Sequence, residues 1–246
     1  MKKGIASKKI LLRVRCLLDL FRSGKIPTLA EHEVHPNLPL GSRENYLYFT
    51  LPPCINFQRH SPAMWRSALA TWNDPQTNYL FFPERVAKQS RSKIQKDLLK
   101  HKLALQQNKH TDIWIAISQT LHTFFKNDPR ALIQGQQGDI ALIKKLIQED
   151  QREHFTHLRG PKMANYWLYI LSQYTDAKFQ HMEEISIIPD THVLQSSVAL
   201  GLVKEGVGAE DAARAWRELL SNTGITPVEM HPVLWNWSRN NFEPKV

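Results

Sequence analysis

Two corners of this 246-residue chain carry side chains suited to chemistry. In "LRGPKMANYWLYI", from Leu158, Gly160 and Pro161 open an apolar helical stripe with Lys162 in its first turn. In "IIPDTHVLQSSVALGLV", from Ile187, Pro189 precedes Asp190 at the start of the next helix. Backbone amides at a helix N-terminus lack intrahelical acceptors, and the field there is positive. A side chain placed in that field can help handle an anion or an anionic transition state. Asp190 would stay ionised there. Lys162 as a nucleophile would have to be neutral, and since a free lysine titrates near about 10.4 it needs burial and nearby positive charge to shed its proton. Either residue also has an ordinary use, Asp190 as a helix cap and Lys162 as an exposed first-turn lysine.

Other residue types widen the set. "INFQRHSPAMW" offers Asn56 and Gln58, amides able to read a purine edge, with Arg59 for a phosphate. "HPVLWNWSRNN" offers Trp235 and Trp237 as aromatic candidates, with the core reading favoured for Trp237. His154 and His157 stand as His-x-x-His without a third ligand at convincing spacing, so they are read as polar or phosphate-facing and no metal is expected. No cofactor is expected either.

These residues must be positioned by helices. Apolar residues at 10, 11, 14, 17, 18 and 21 predict a helix over 7–22. The proline-rich stretch 27–62 reads as irregular backbone around an aromatic patch. Ser61 as N-cap and Pro62 at the first helical position predict a helix in "SPAMWRSALATW". A long polar and basic helix is expected from Glu84 to about Gln107, then an apolar helix capped by Thr111 and ending near Asn127-Asp128-Pro129, then helices in "GDIALIKKLIQED" and "GPKMANYWLYILSQY". In the last, Lys162 shares a helix edge with Asn165, Tyr169 and Ser172, placed to face a cleft. "AEDAARAWRELLSN" has acids in its first turn and Gly224 past its end, and "TPVE" at 226–229 has the form of a capping box. No alternating strand pattern persists, so the fold class is all-α.

Charge is regional. Residues 1–25 and 85–110 each carry eight basic residues and one acid, and those two stretches hold +14 of a net +9 chain, the remainder being −5. Such clustering is the footprint of a nucleic-acid or anionic-membrane partner, and Lys93, Lys96 and Lys100 are the phosphate-facing candidates. Two distant cysteines, Cys16 and Cys54, exclude a four-thiolate metal centre and a disulfide scaffold. Arg13, Arg15 and Asp19 interrupt the first apolar run, which fits neither a signal peptide nor a membrane span. A cytoplasmic monomer, nucleoid-associated in a prokaryote, is expected, with no membrane partner.

"LRGPKMANYWL" followed by "IPDTHVLQSSVALGLV" resembles the helix-hairpin-helix DNA glycosylase superfamily, whose signature is a glycine-containing hairpin, a lysine-bearing helix and a Pro-(Val)-Asp-Thr-His-Val corner. The strong part covers about residues 155–206. The 28 positions between Lys162 and Asp190, the lack of a cysteine cluster and "HPVLW" bring the chain closest to the archaeal-type 8-oxoguanine glycosylase branch. The resemblance implies one domain over 1–246 with two helical lobes, a central cleft and a helix-hairpin-helix element, the chain crossing between lobes near 60–85 and 205–225. It implies a base-excision repair glycosylase with AP-lyase activity on double-stranded DNA containing a damaged base. Lys162 would be the nucleophile and Asp190 the assisting carboxylate, with Trp235, Asn56, Gln58 and Pro189 at the flipped base and Arg159, Gly160 and His192 among the DNA contacts. The hairpin here has one glycine, and Pro161 removes a backbone donor. Two other classes stay open, a catalytically inactive helical DNA-binding protein of the same fold, and a membrane or protein-interaction module built on the basic helices.

Overall fold

A computed structural model describes residues 2–28 and 34–246, with side chains from residue 7 onward. In chain order the helices are α1 (Lys2–Arg22), α2 (Arg43–Thr50), α3 (Ser61–Asn73), α4 (Pro83–Val86), α5 (Arg91–Lys100), α6 (Gln107–Phe124), α7 (Pro129–Gly135), α8 (Ile140–Lys145), α9 (Pro161–Tyr174), α10 (Thr191–Ala199), α11 (Ala209–Leu220) and α12 (Pro227–Arg239). The β structure of the described residues is an isolated bridge between Asp139 and Gln180. The chain is all-α. No helix among the described residues is long and apolar enough to cross a membrane.

The chain forms two compact units, one of residues 1–30 and 182–246, the other of residues 31–181. Residues 60–85 lie within the second of these units and residues 205–225 within the first.

The unit built from the two ends of the chain holds α1, α10, α11 and α12 around Trp216, Trp237, Val14, Leu17, Val193 and Leu234. Two serines let α10 approach its neighbours closely. Ser196 donates to the Leu234 carbonyl at 2.8 Å, and Ser197 accepts the Trp216 indole N–H at 2.8 Å. Arg13 of α1 donates to the carbonyls of Leu200 and Val246. Helix α12 begins with the expected capping box, the Glu229 carboxylate accepting the Thr226 N–H at 2.7 Å.

The central unit holds α2 to α9. Its core is aromatic, with Tyr48 stacked on Phe81 at 5.5 Å, Trp114 donating to the Leu80 carbonyl and Trp167 to the Thr50 hydroxyl. Here the local expectations need four corrections. The aromatic patch in the proline-rich stretch is α2, whose N-cap Ser42 accepts from the Asn45 N–H. Prolines flank α2 without entering it, so they delimit it. The N-cap of α3 is His60, and the Ser61 hydroxyl instead bonds Asn56 and Tyr166. The long helix expected over 84–107 is split into α4 and α5, because Ser90 turns its side chain onto the Lys93 N–H and starts a new helix. Thr111 lies inside α6, its hydroxyl donating back to the Gln107 carbonyl.

Candidate functional site

The Pro-Asp corner caps α10. Asp190 is half-buried, with its backbone extended at φ −86° and ψ −176°, and its Oδ1 accepts the Val193 N–H at 2.9 Å. Among the described residues no group hydrogen-bonds its Oδ2, so one carboxylate oxygen is committed to the helix and the other is not. The cap is satisfied without exhausting the group.

Three residues of the same unit gather beside that corner. The ring of His192 stands edge-on to Trp235, with centroids 5.6 Å apart, and the Arg239 guanidinium lies 4.5 Å from the centre of the Trp235 ring system. Ser238 donates to Gln195 at 2.9 Å, so its oxygen is left to accept from His192 Nδ1 at 3.2 Å. His192 is thereby held in one orientation, its Nδ1 carrying the proton and its Nε2 turned away from that bond. Trp235 is half-buried, whereas Trp237 is core, its indole donating to the Pro244 carbonyl. Pro189 is half-buried next to Asp190. Arg239 was not among the sequence candidates, although its position one helical turn after Trp235 puts both on one face.

The lysine corner belongs to the central unit. Residues 151–160 run as turns into α9, and the left-handed residue is His157, at φ 64°; Gly160 is extended at φ −63° and ψ 140°. Pro161 brings no N–H and no side chain caps the helix. Lys162 is exposed, in contrast to the burial an amine nucleophile requires, while Asn165 on its helix edge is buried and donates to the Pro161 carbonyl. Arg159 donates to the Arg152 carbonyl. His154 packs on Phe124 and His157 on Phe57, so the two imidazoles do not share a helix face. Among the described residues no group of three or more His, Cys, Asp or Glu is placed to hold a metal ion.

The amide candidates serve their own loop. Asn56 donates to Ser61 and keeps Oδ1 buried without a partner; Gln58, exposed and at φ 52°, accepts from Gln106. The Arg59 outer nitrogens donate to the carbonyls of Leu103 and Lys102, and burial pulls its guanidinium below its ordinary value. On α5, Lys93 pairs with Asp97 at 2.8 Å and Lys100 with Asp74 at 2.6 Å, leaving Lys96 as the exposed lysine without an ion pair among the three. Comparison with models of protein families and with curated proteins finds no match.

Proposed function

We propose that the protein is a DNA base-excision glycosylase with AP-lyase activity, acting on a damaged purine, with 8-oxoguanine the first substrate to test. The observation that carries the proposal is the cluster at the Pro-Asp corner. A half-buried aspartate with one uncommitted carboxylate oxygen is followed in sequence by a histidine in edge contact with Trp235. These residue types meet the demands of the reaction. Breaking an N-glycosidic bond builds positive charge on the sugar, which a fixed carboxylate stabilises. A base taken out of the stack needs an aromatic surface, and a half-buried tryptophan offers one. Trp235 would receive the base, with Pro189 beside it; Asn56 and Gln58 would read its edge after giving up their loop contacts.

Lys162, neutral once bound substrate has desolvated it, would attack C1′ and displace the base, Asp190 passing the proton from the attacking nitrogen to the departing base. Opening of the sugar C1′–O4′ bond would then give the imine through which β-elimination cuts the strand. The two lobes facing a central cleft, and the helix-hairpin-helix element around Gly160, belong to this proposal. So do the phosphate roles of Arg59, Lys93, Lys96, Lys100, Arg159, Gly160 and His192, and a monomer acting on duplex DNA in the cytoplasm or nucleoid. A specific pair of observations favours a second reading, a helical DNA-binding protein without catalysis: Lys162 is exposed, and Asp190 has a complete structural job as a cap.

A panel of duplexes, each with one lesion, assayed for base release and for borohydride-trapped adduct, separates the two. Lys162→Gln should lose the adduct and strand scission while still binding. Asp190→Asn should slow base release by roughly 10²–10³, the scale of lost transition-state electrostatics. No base release from any lesion by the wild type would leave the non-catalytic reading standing.

A further inference from the structure

A side-chain cluster of the central unit, which shares Arg59 and Arg159 with the proposed DNA contacts but none of the bond-breaking groups, holds polar groups the fold leaves unpartnered. Phe57 is its centre. The His157 ring lies parallel to it, with centroids 4.3 Å apart and planes 6° apart; the His110 ring meets it edge-on at 4.8 Å, and the Lys109 ammonium sits 4.7 Å from its centroid. Arg59, two residues along, is close enough to His110 for its charge to be felt there.

His110 is 1% exposed, and its Nδ1 accepts the Leu105 N–H at 3.1 Å. That bond fixes the tautomer, because a neutral imidazole whose Nδ1 accepts carries its proton on Nε2. Nε2 is buried with no hydrogen-bond partner, and so is Nε of Arg59, which is always a donor. Buried donors without acceptors are uncommon in a folded protein and call for an explanation.

The charges point the same way. Among the described residues Arg59, Lys109 and Arg159 form no ion pair with a carboxylate; Arg59 and Arg159 donate to backbone carbonyls. Burial, with Arg59, His157 and Lys109 around it, pushes His110 down to about 4, and burial with Lys109 and Arg159 lowers His157 as well. Excess donors, cations at the rim and no carboxylate match a ligand that only accepts hydrogen bonds and is negatively charged.

We propose that this cluster is an anion site of the phosphate class, with His110 Nε2–H and Arg59 Nε–H as inner donors, Lys109 and Arg159 as the outer charges, and the Phe57–His157 stack as its apolar wall. It requires neither Lys162 nor Asp190, and in Arg59 and Arg159 it deepens the phosphate roles proposed above. The phosphate can come from free phosphate or from a nucleic-acid chain.

The test follows the histidine Cε1–Hε1 resonances of the full-length protein at pH 7 as inorganic phosphate is added at ionic strength held constant with sodium chloride. Saturable shifts of His110 and His157 are expected, with Lys109→Gln, an exposed position, weakening the apparent affinity several-fold and Arg159→Gln acting similarly. A second arm uses a short DNA strand with and without a 5′-phosphate: a response to both strands assigns the site to the phosphodiester backbone, a response to the phosphorylated strand alone to a chain end, and a response to inorganic phosphate alone to the free ion. Each of these supports the site. Unmoved resonances, shifts that chloride reproduces, or an affinity indifferent to Lys109→Gln would overturn it. Since the readout is binding, failed trapping by Lys162 and failure of this site are separate results.

Discussion

At the residue scale, buried polar atoms decide more than their number suggests. Ser197 accepts the Trp216 indole N–H in the core of the unit that holds α10. Ser197→Ala should strand that donor and cost about 1–3 kcal/mol, the penalty for an unsatisfied buried group; a loss below about 0.5 kcal/mol in urea unfolding would mean the indole finds another acceptor. His110 gives a pH signature. Its value in the fold, about 4, lies below its ordinary 6.5, so the unfolded chain takes the proton first as pH falls. Stability is then fully present above about pH 6.5 and is lost on the way down to about 4. By 1.36 kcal/mol per pH unit, roughly 2 kcal/mol should go between pH 7 and pH 5 on this account. His110→Phe, compared with the wild type by urea titration at both values, should lack that component. Asp190 separates its two roles through the choice of substitution. Asn caps about as well as Asp, so Asp190→Asn should leave the melting temperature nearly unchanged, whereas Asp190→Ala should cost about 1 kcal/mol; a large stability loss in Asn would show that the charge holds the fold.

At the element scale, the basic helix α5 shows how composition and use diverge. The charge surplus of 85–110 is visible in sequence, but Lys93 and Lys100 spend their charges on Asp97 and Asp74. The carboxyl of Asp74 is held well below the usual carboxylate range by its hydrogen bonds to Lys100 and His101, a contribution present above the ordinary carboxylate pKa and lost as pH falls through the lowered one. For duplex binding, Lys96→Gln should therefore flatten the dependence of log K on log salt by roughly one unit, while Lys93→Gln and Lys100→Gln each do less; equal effects at all three would show that the ion pairs open on DNA. What the sequence discloses and what it conceals follow the same division. The Asp190 cap, the capping box at Thr226 and the termination near Asn127-Asp128-Pro129 were legible because each rests on a contact within a few residues. Helix α2 is hidden in the sequence because its flanking prolines outweigh its Ser42 cap, and the Ser90 cap is hidden inside a run that suits a helix throughout. The ring partners of Trp235 were partly legible, Arg239 from spacing along α12 and His192 from nothing local. The cluster around His110 was not legible, since Phe57, His110 and His157 come from three separate parts of the chain.

At the scale of the whole molecule, the division into units is discontinuous in sequence, with residues 31–181 continuous and the other unit made from both ends. A fragment of residues 31–181 should keep helical circular dichroism and a cooperative transition, because the aromatic-core contacts Tyr48–Phe81, Trp114–Leu80 and Trp167–Thr50 all lie within it. Deleting residues 1–28 should instead unfold the unit containing Trp216 and Trp237, since Val14, Leu17 and Leu18 are part of the same core. Loss of near-ultraviolet tryptophan signal in the deletion, with persistence of the fragment's own, is the expected pair of results.

That arrangement has a consequence for the order of synthesis. The apolar stripe of α1 leaves the ribosome long before Trp216, Met230 and Leu234, against which it packs. At roughly 5–20 residues per second, the intervening 200 or so residues take on the order of 10–40 s to be made. For that interval Val14, Leu17 and Leu18 lack their partners from α10, α11 and α12, while α2 to α9 can complete their own core. The nascent chain thus carries a basic, amphipathic helix whose later partners are still unmade, ahead of a body that can already complete its own core.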